Sequence, residues 1–163
     1  MGIVNRVNDV IQSNIVAMLD KAEDPQKLVN LMLNDMQDAL NECRSTAAAL
    51  LCEEKAINRQ LYTKKAELAT WQSKAELAIE KGRDDLAKSA LISKQAVSES
   101  IEKKQAQRET LQESLLKTRS DCERLQQKIA EAKTKQAQLA QRHDVVVARS
   151  HINTQLNSDK VAH

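Results

Sequence analysis

The run Ala78-Ile79-Glu80-Lys81-Gly82-Arg83-Asp84-Asp85-Leu86-Ala87 decides the fold, because the apolar pattern of the chain changes phase across it. Counting from Val29 in alternating steps of four and three gives Val29, Leu33, Met36, Leu40, Cys43, Ala47, Leu50, Glu54, Ile57, Leu61, Lys64, Leu68, Trp71, Ala75 and Ala78. Thirteen of these fifteen are apolar, which is the seam of a coiled coil. Carried on through Gly82, the same count lands on mostly polar residues, whereas the apolar series that follows runs Ala87, Ala90, Lys94, Val97, Ile101, Lys104, Arg108, Leu111, Leu115, Thr118, Cys122, Leu125, Ile129 and Ala132. A chain reversal at Lys81, Gly82, Arg83 and Asp84 reconciles the two phases. Gly82 ends one helix in the left-handed conformation, and Asp84 or Asp85 caps the next. Facing residues then carry numbers that sum to 165, as in Leu68 with Val97, Leu50 with Leu115, Cys43 with Cys122 and Leu40 with Leu125. The fold class read from this is all-α, a long antiparallel coiled-coil hairpin over residues 25–156.

This register assigns roles to the unusual seam residues. Cys43 and Cys122 read as small apolar fillers in one layer, not as a disulfide. Trp71 anchors the packing near the reversal, facing Lys94, and Glu54 is placed to pair with Arg108 across the seam. Past Ala132 the second arm outruns the first, and its seam positions Gln136, His143, Ser150 and Asn153 turn polar, so that the overhang either binds another subunit or frays.

Composition supports long helices over a globular core: two glycines, one proline, no phenylalanine, one tryptophan and 29% charged residues. Breakers cluster only at Asp24-Pro25 and Gly82-Arg83-Asp84, which predicts three helices. The net charge of +2 is divided as −2 over residues 22–81 and +4 over residues 82–163, which favours pairing of the arms over any polyanionic partner. Neither a basic stripe nor stacking aromatics suggests nucleic acid. Three cysteines without metal-ligand spacing read as reduced thiols in a cytoplasm-like compartment.

Ahead of the hairpin, Ile3, Val4, Val7, Val10, Ile11, Ile15, Met18 and Leu19 repeat at helical spacing and fill about half the circumference of one helix over residues 2–21. Asn14 alone interrupts the stripe, while Asn5, Arg6, Asp9, Gln12, Ser13 and Asp20 hold the other side. Such a helix suits the plane of a bilayer interface, with Arg6 and Lys21 near lipid phosphates. It also suits packing against its own protein. The longest apolar runs fall far short of the roughly 20 residues needed to span a bilayer, and no signal peptide is visible. Because the first arm's seam already faces the second arm, the hairpin offers no obvious groove for this stripe.

Catalytic chemistry has no foothold. The chain has no glycine-rich phosphate loop, no nucleophile elbow and no His or Cys cluster at ligand spacing, and a helical pair offers no water-excluding pocket. Binding, assembly or scaffolding is the expected function, without enzyme activity, metal or cofactor.

The start Met1-Gly2-Ile3, the junction Ala22-Glu23-Asp24-Pro25-Gln26-Lys27-Leu28, and Trp71-Gln72-Ser73-Lys74-Ala75-Glu76-Leu77-Ala78 leading into the reversal resemble the family of phage shock protein A and the vesicle-inducing protein in plastids, over Met1 to about Leu156. The resemblance implies a peripheral protein on the cytoplasmic face of the inner membrane that binds stressed anionic phospholipid and assembles into large homo-oligomers. It also implies inhibition of the AAA+ transcription activator of the phage shock operon. On that reading Ile3, Val4, Arg6, Val7, Val10, Ile11, Ile15, Met18, Leu19 and Lys21 are the membrane-binding residues, and Glu23, Asp24 and Pro25 are the hinge. The seam of Leu40, Cys43, Leu50, Ile57, Leu61, Leu68, Trp71, Val97, Ile101, Leu111, Leu115, Cys122, Leu125 and Ile129 carries the hairpin. The alternative is a cytoplasmic coiled-coil scaffold or spacer whose first helix folds back.

Two departures from the family stand out. Val4 and Val7 occupy positions where phenylalanines are typical, a loss of apolar surface that weakens membrane partitioning by roughly 1–2 kcal/mol. Family members also continue through at least one more helix, so residues 157–163 read as a tail truncated relative to the family. The expected organisation is residues 1–24 as amphipathic helix and hinge, residues 25–156 as the hairpin, and residues 157–163 as tail.

Overall fold

The computed structural model describes the backbone over residues 3–161 and the side chains over residues 6–161. Four helices form among the described residues: α1 (Ile3–Gln12), α2 (Ile15–Asp20), α3 (Pro25–Glu80) and α4 (Asp84–Val161). The long pair α3 and α4 packs together as a helical hairpin.

Helix α3 carries its own start signal. The Asp24 carboxylate accepts the Lys27 N–H at 3.2 Å, its carbonyl accepts the Leu28 N–H at 3.1 Å, and Pro25 fills the first helical position, where no N–H is required. The helix ends as the sequence leads one to expect. Gly82 has φ +70°, and the Arg83 and Gly82 N–H groups return to the carbonyls of Ala78 and Ile79 at 2.8 and 3.0 Å, the paired bonds of a left-handed helix stop. The cap of α4 differs from expectation. The Arg83 carbonyl accepts the Ala87 N–H at 3.0 Å, so Arg83 takes the cap position, while Asp84 and Asp85 occupy the first turn, where helix polarity favours carboxylates. Asp85 pairs with the Arg83 guanidinium at 3.4 Å; that hydrogen bond and the Leu86 N–H hold its pKa below the usual carboxylate range.

Contacts divide the chain into two units. The unit Ser45–Arg119 is a two-helix coiled coil. Leu61, Val97 and Ile101 are buried at its centre with Ile57, Leu68 and Trp71 against them, and Ala75, Ala78, Ala87 and Ala90 are buried towards the reversal. Hydrogen bonds flank this seam at the expected register: Lys94 to Gln72 at 2.6 Å, Lys104 to Gln60 at 2.7 Å, Arg108 to Asn58 at 3.3 Å and Gln112 to Glu54 at 3.3 Å. One expected pair is replaced, and Trp71 packs against the core as expected with its cation on its own helix. Lys94 reaches Gln72, while the cation over the Trp71 ring is Lys74, 4.6 Å from its centroid, because residues three apart stack on one helix face. Glu54 meets Gln112 and not Arg108, which lies one turn too far along the partner helix and finds Asn58.

The other unit, Met1–Arg44 with Ser120–His163, holds more than two helices' worth of core. Val29, Leu33, Met36, Ala39, Leu40 and Cys43 of α3 are buried with Leu125, Ile129 and Ala132 of α4, and Val7 of α1 with Ile15 and Leu19 of α2 complete the cluster. Gln136 donates to Asn30 at 2.7 Å and Leu139 packs at the edge; from Ala140 to Val161 every residue of α4 is exposed.

Candidate functional site

The N-terminal stripe folds as two helices, not one. Asn14, the residue that interrupts the apolar pattern, is extended (φ −100°, ψ 95°), and its side-chain oxygen accepts the Ala17 N–H at 3.1 Å to cap α2. The Ser13 hydroxyl turns back to the Val10 carbonyl at 2.6 Å and so closes α1. Short polar side chains that bond to nearby backbone offer it an alternative to the helix, and here the two adjacent ones take it. An uninterrupted helix over residues 2–21 and a total of three helices are both corrected by this break.

Breaking the helix lets both pieces face the hairpin. Ile15 is 0% exposed and Leu19 4%, Val7 is buried, and Val10 and Ile11 pack at the rim. A groove for the stripe thus exists, contrary to the expectation from the seam. The reason lies in Met32 and Ala39, which flank the seam residues Met36 and Cys43 and join the same apolar cluster as Val7, Ile15 and Leu19, so that the apolar face of α3 is wider than its seam. Both residues lie outside the four-and-three count. Counting apolar neighbours of the seam as well as the seam would have revealed them.

Polar contacts hold the segment from both sides. The Arg6 guanidinium pairs with Asp35, lies 3.4 Å from Glu42 Oε1 and 3.8 Å from Asp38, all three on α3. Asp35, through its hydrogen bond and then its charge, raises the guanidinium's pKa above its ordinary value. Arg6 remains partly open to water, so these pairs give direction more than strength. Across the break, Lys128 of α4 donates to the Ser13 carbonyl at 2.7 Å. Burial supplies most of the adhesion, at about 1.5–3 kcal/mol for each Val, Ile or Leu fully removed from water, before the cost of ordering the segment.

Each expected membrane-binding residue now has a position. The side chains of Ile3 and Val4 lie outside the described residues. Val7, Ile15 and Leu19 are buried, Arg6, Val10 and Ile11 half-buried, and Met18 (45% exposed) and Lys21 face solvent. Residues 21–24 are non-helical and join α2 to α3; Glu23 and Asp24 are exposed, and Asp24 serves as the cap described above. The apolar face that suits a bilayer is thus the one turned towards the protein. No helix among the described residues is long and apolar enough to cross a membrane, and no group of His, Cys, Asp or Glu there is arranged to hold a metal ion.

Comparison with known proteins adds a lineage to this geometry. The profile of the PspA/IM30 family matches residues 2–163. The chain is 32% identical over 156 residues to the membrane-associated protein Vipp1 of Synechocystis, an alignment that covers 96% of this chain and 58% of that protein. It is 27% identical over 148 residues to the phage shock protein A homolog of Bacillus subtilis, covering 91% and 56% respectively, and 25% identical over 156 residues to protein LiaH of the same organism, covering 93% and 68%. The chain spans little more than half the length of the first two of these relatives.

Proposed function

The chain belongs to the PspA/IM30 family, and from that premise we propose that it is a peripheral membrane-stress effector whose α1–α2 segment leaves the hairpin to lie on anionic phospholipid. The supporting observation is that the segment reaches the hairpin through a non-helical linker and turns one continuous apolar face to it. Its apolar face is gathered on Val7, Val10, Ile11, Ile15 and Leu19, its one strong cation is satisfied by carboxylates, and a non-helical linker connects it to a helix that starts independently. Transfer to a bilayer exchanges one apolar environment for another and replaces the carboxylates around Arg6 by lipid phosphates. The names of relatives such as the membrane-associated protein Vipp1 fit this reading.

On the same reading the protein acts on the cytoplasmic face of the inner membrane, self-assembles through the hairpin to maintain or remodel the bilayer, and restrains the AAA+ transcription activator of the phage shock operon. The mode of action is binding and assembly, without catalysis. Co-sedimentation with phosphatidylglycerol vesicles tests the lipid role: the full chain should pellet and a chain lacking residues 1–24 should remain in solution. Equal pelleting would defeat it. The regulatory role is tested separately by the activator's ATP hydrolysis rate, which should fall at saturating concentrations of this chain.

The burial of Ile15 and Leu19 also favours a second reading, a coiled-coil scaffold whose first helices are permanent core. Hydrogen exchange separates the two. The scaffold keeps residues 3–20 protected when vesicles are added at low salt; the effector exchanges its protein contacts for lipid ones, so that Val29 and Met36 beneath the segment lose protection.

A further inference from the structure

Cys43 on α3 and Cys122 on α4 meet across the hairpin with their sulfurs 2.8 Å apart, although 79 positions separate them in the chain. Cys43 is buried, Cys122 is half-buried, and both belong to the cluster on which α1 and α2 pack. We propose that this pair is an oxidation site, at which a low-molecular-mass disulfide converts the two thiols into one Cys43–Cys122 disulfide that staples α3 to α4.

The geometry requires little of the fold. A disulfide holds its sulfurs about 2.0 Å apart, so the two atoms need approach by under about 1 Å, within the reach of small side-chain rotations. The different burial of the two thiols sets the order of events. Cys122, open on one side, is the entry point: its thiolate attacks one sulfur of the small disulfide RSSR, the S–S bond breaks, and one RS⁻ leaves and takes up a proton. The Cys43 thiolate then attacks the Cys122 sulfur of this mixed disulfide and expels the second RS⁻. Two protein thiols are thereby oxidised by two electrons, and one RSSR is reduced to two RSH.

The Cys43 thiol holds its proton more firmly than a free thiol. Burial first, then the hydrogen bond to and charge of Cys122, then Asp121, push its pKa up to about 12. An adduct on Cys122 removes both contributions of that neighbour, while burial, the largest cause, remains. Cys52, exposed on α3, is the remaining cysteine of the chain and serves as an internal control for simple access. The staple lies within the layer under α1 and α2 and does not rest on the membrane reading.

The test is to incubate the full folded chain with oxidised glutathione at pH 8, quench with acid and map the peptides by mass. The expected product has lost two hydrogens in a Cys43–Cys122 link and carries glutathione on Cys52. Cys43→Ala should accumulate the adduct on Cys122, and Cys122→Ala should leave Cys43 unmodified; circular dichroism checks that both variants remain helical. The linked chain should unfold at higher urea than the reduced one and return to the original midpoint on reduction. A glutathione adduct that persists on Cys122 in the folded wild type, a link that forms only in denaturant, or links between chains in its place would overturn the proposal.

Discussion

Lys128, on α4, donates its ammonium to the carbonyl oxygen of Ser13, 115 positions earlier, at 2.7 Å. The last carbonyls of a helix have no partner within it, and Ser13 follows α1 directly, so this bond satisfies backbone that the break at Asn14 would leave wanting. Lys128→Met should therefore act locally. Hydrogen bonds to charged groups contribute about 1.5–3 kcal/mol when well shielded and less where water reaches, so a loss of about 1 kcal/mol is expected. Native-state hydrogen exchange should place it in residues 3–20, with the urea midpoint of the hairpin nearly unchanged.

On the proposed lipid role, the three carboxylates around Arg6 should bias the segment towards the protein. Replacing them together, Asp35→Asn, Asp38→Asn and Glu42→Gln, keeps volume and removes the attraction. Amide exchange over residues 6–20 should accelerate, and at a given lipid concentration a larger fraction of the variant should pellet with phosphatidylglycerol vesicles. Identical pelleting by variant and wild type would show that the guanidinium contacts do not restrain the segment.

Leu125 and Ile15 are both fully buried in one cluster but answer to different events. Leu125→Ala opens a cavity in the hairpin itself and should lower its unfolding free energy by about 2–5 kcal/mol, read by urea denaturation. Ile15→Ala leaves the long helices intact. Its effect should appear as faster exchange in α1 and α2, with a much smaller shift of the global midpoint.

Gly82 sits at φ +70°, and a Cβ there meets nothing within 4 Å. Gly82→Ala consequently carries only the conformational penalty of the left-handed region, about 1 kcal/mol. A urea midpoint lowered by that amount, with helicity unchanged, is the expected result; loss of the hairpin would mean that the reversal is held by something other than backbone geometry.

Cys43 gives the fold a pH dependence with a definite sign. An unfolded thiol loses its proton near pH 8.5, whereas Cys43 in the fold keeps it to about 12. Between those values the folded chain binds more protons than the unfolded chain, so stability contributed by this group is complete below about pH 8.5 and declines as pH rises, by at most about 1.4 kcal/mol per unit. Urea midpoints measured from pH 8 to 10.5 should fall more steeply for the wild type than for Cys43→Val.

The hairpin was legible because a coiled coil writes its contacts as a one-dimensional count. All fifteen positions from Val29 to Ala78 and all fourteen from Ala87 to Ala132 are buried or half-buried, including Lys64, Lys94 and Arg108. Gly82 announced the reversal because few other residues tolerate its backbone angle. What escaped was the third layer. The count follows one edge of α3 and passes over Met32 and Ala39, and the apolar stripe before Pro25 says which residues avoid water without saying what replaces it. Asn14 carried the missing information: a lone polar residue in an apolar stripe marks a helix start as readily as a flaw.

The Asp24 cap has a thermodynamic consequence. A helix that supplies its own first turn does not depend on the preceding segment to start. The proposed function requires two stabilities, one for the hairpin and a lower one for the docking of residues 3–20. A ligand that captures only the undocked segment draws on the smaller of them. On the proposed function, a surface that binds this segment should release it while the long helices stay folded.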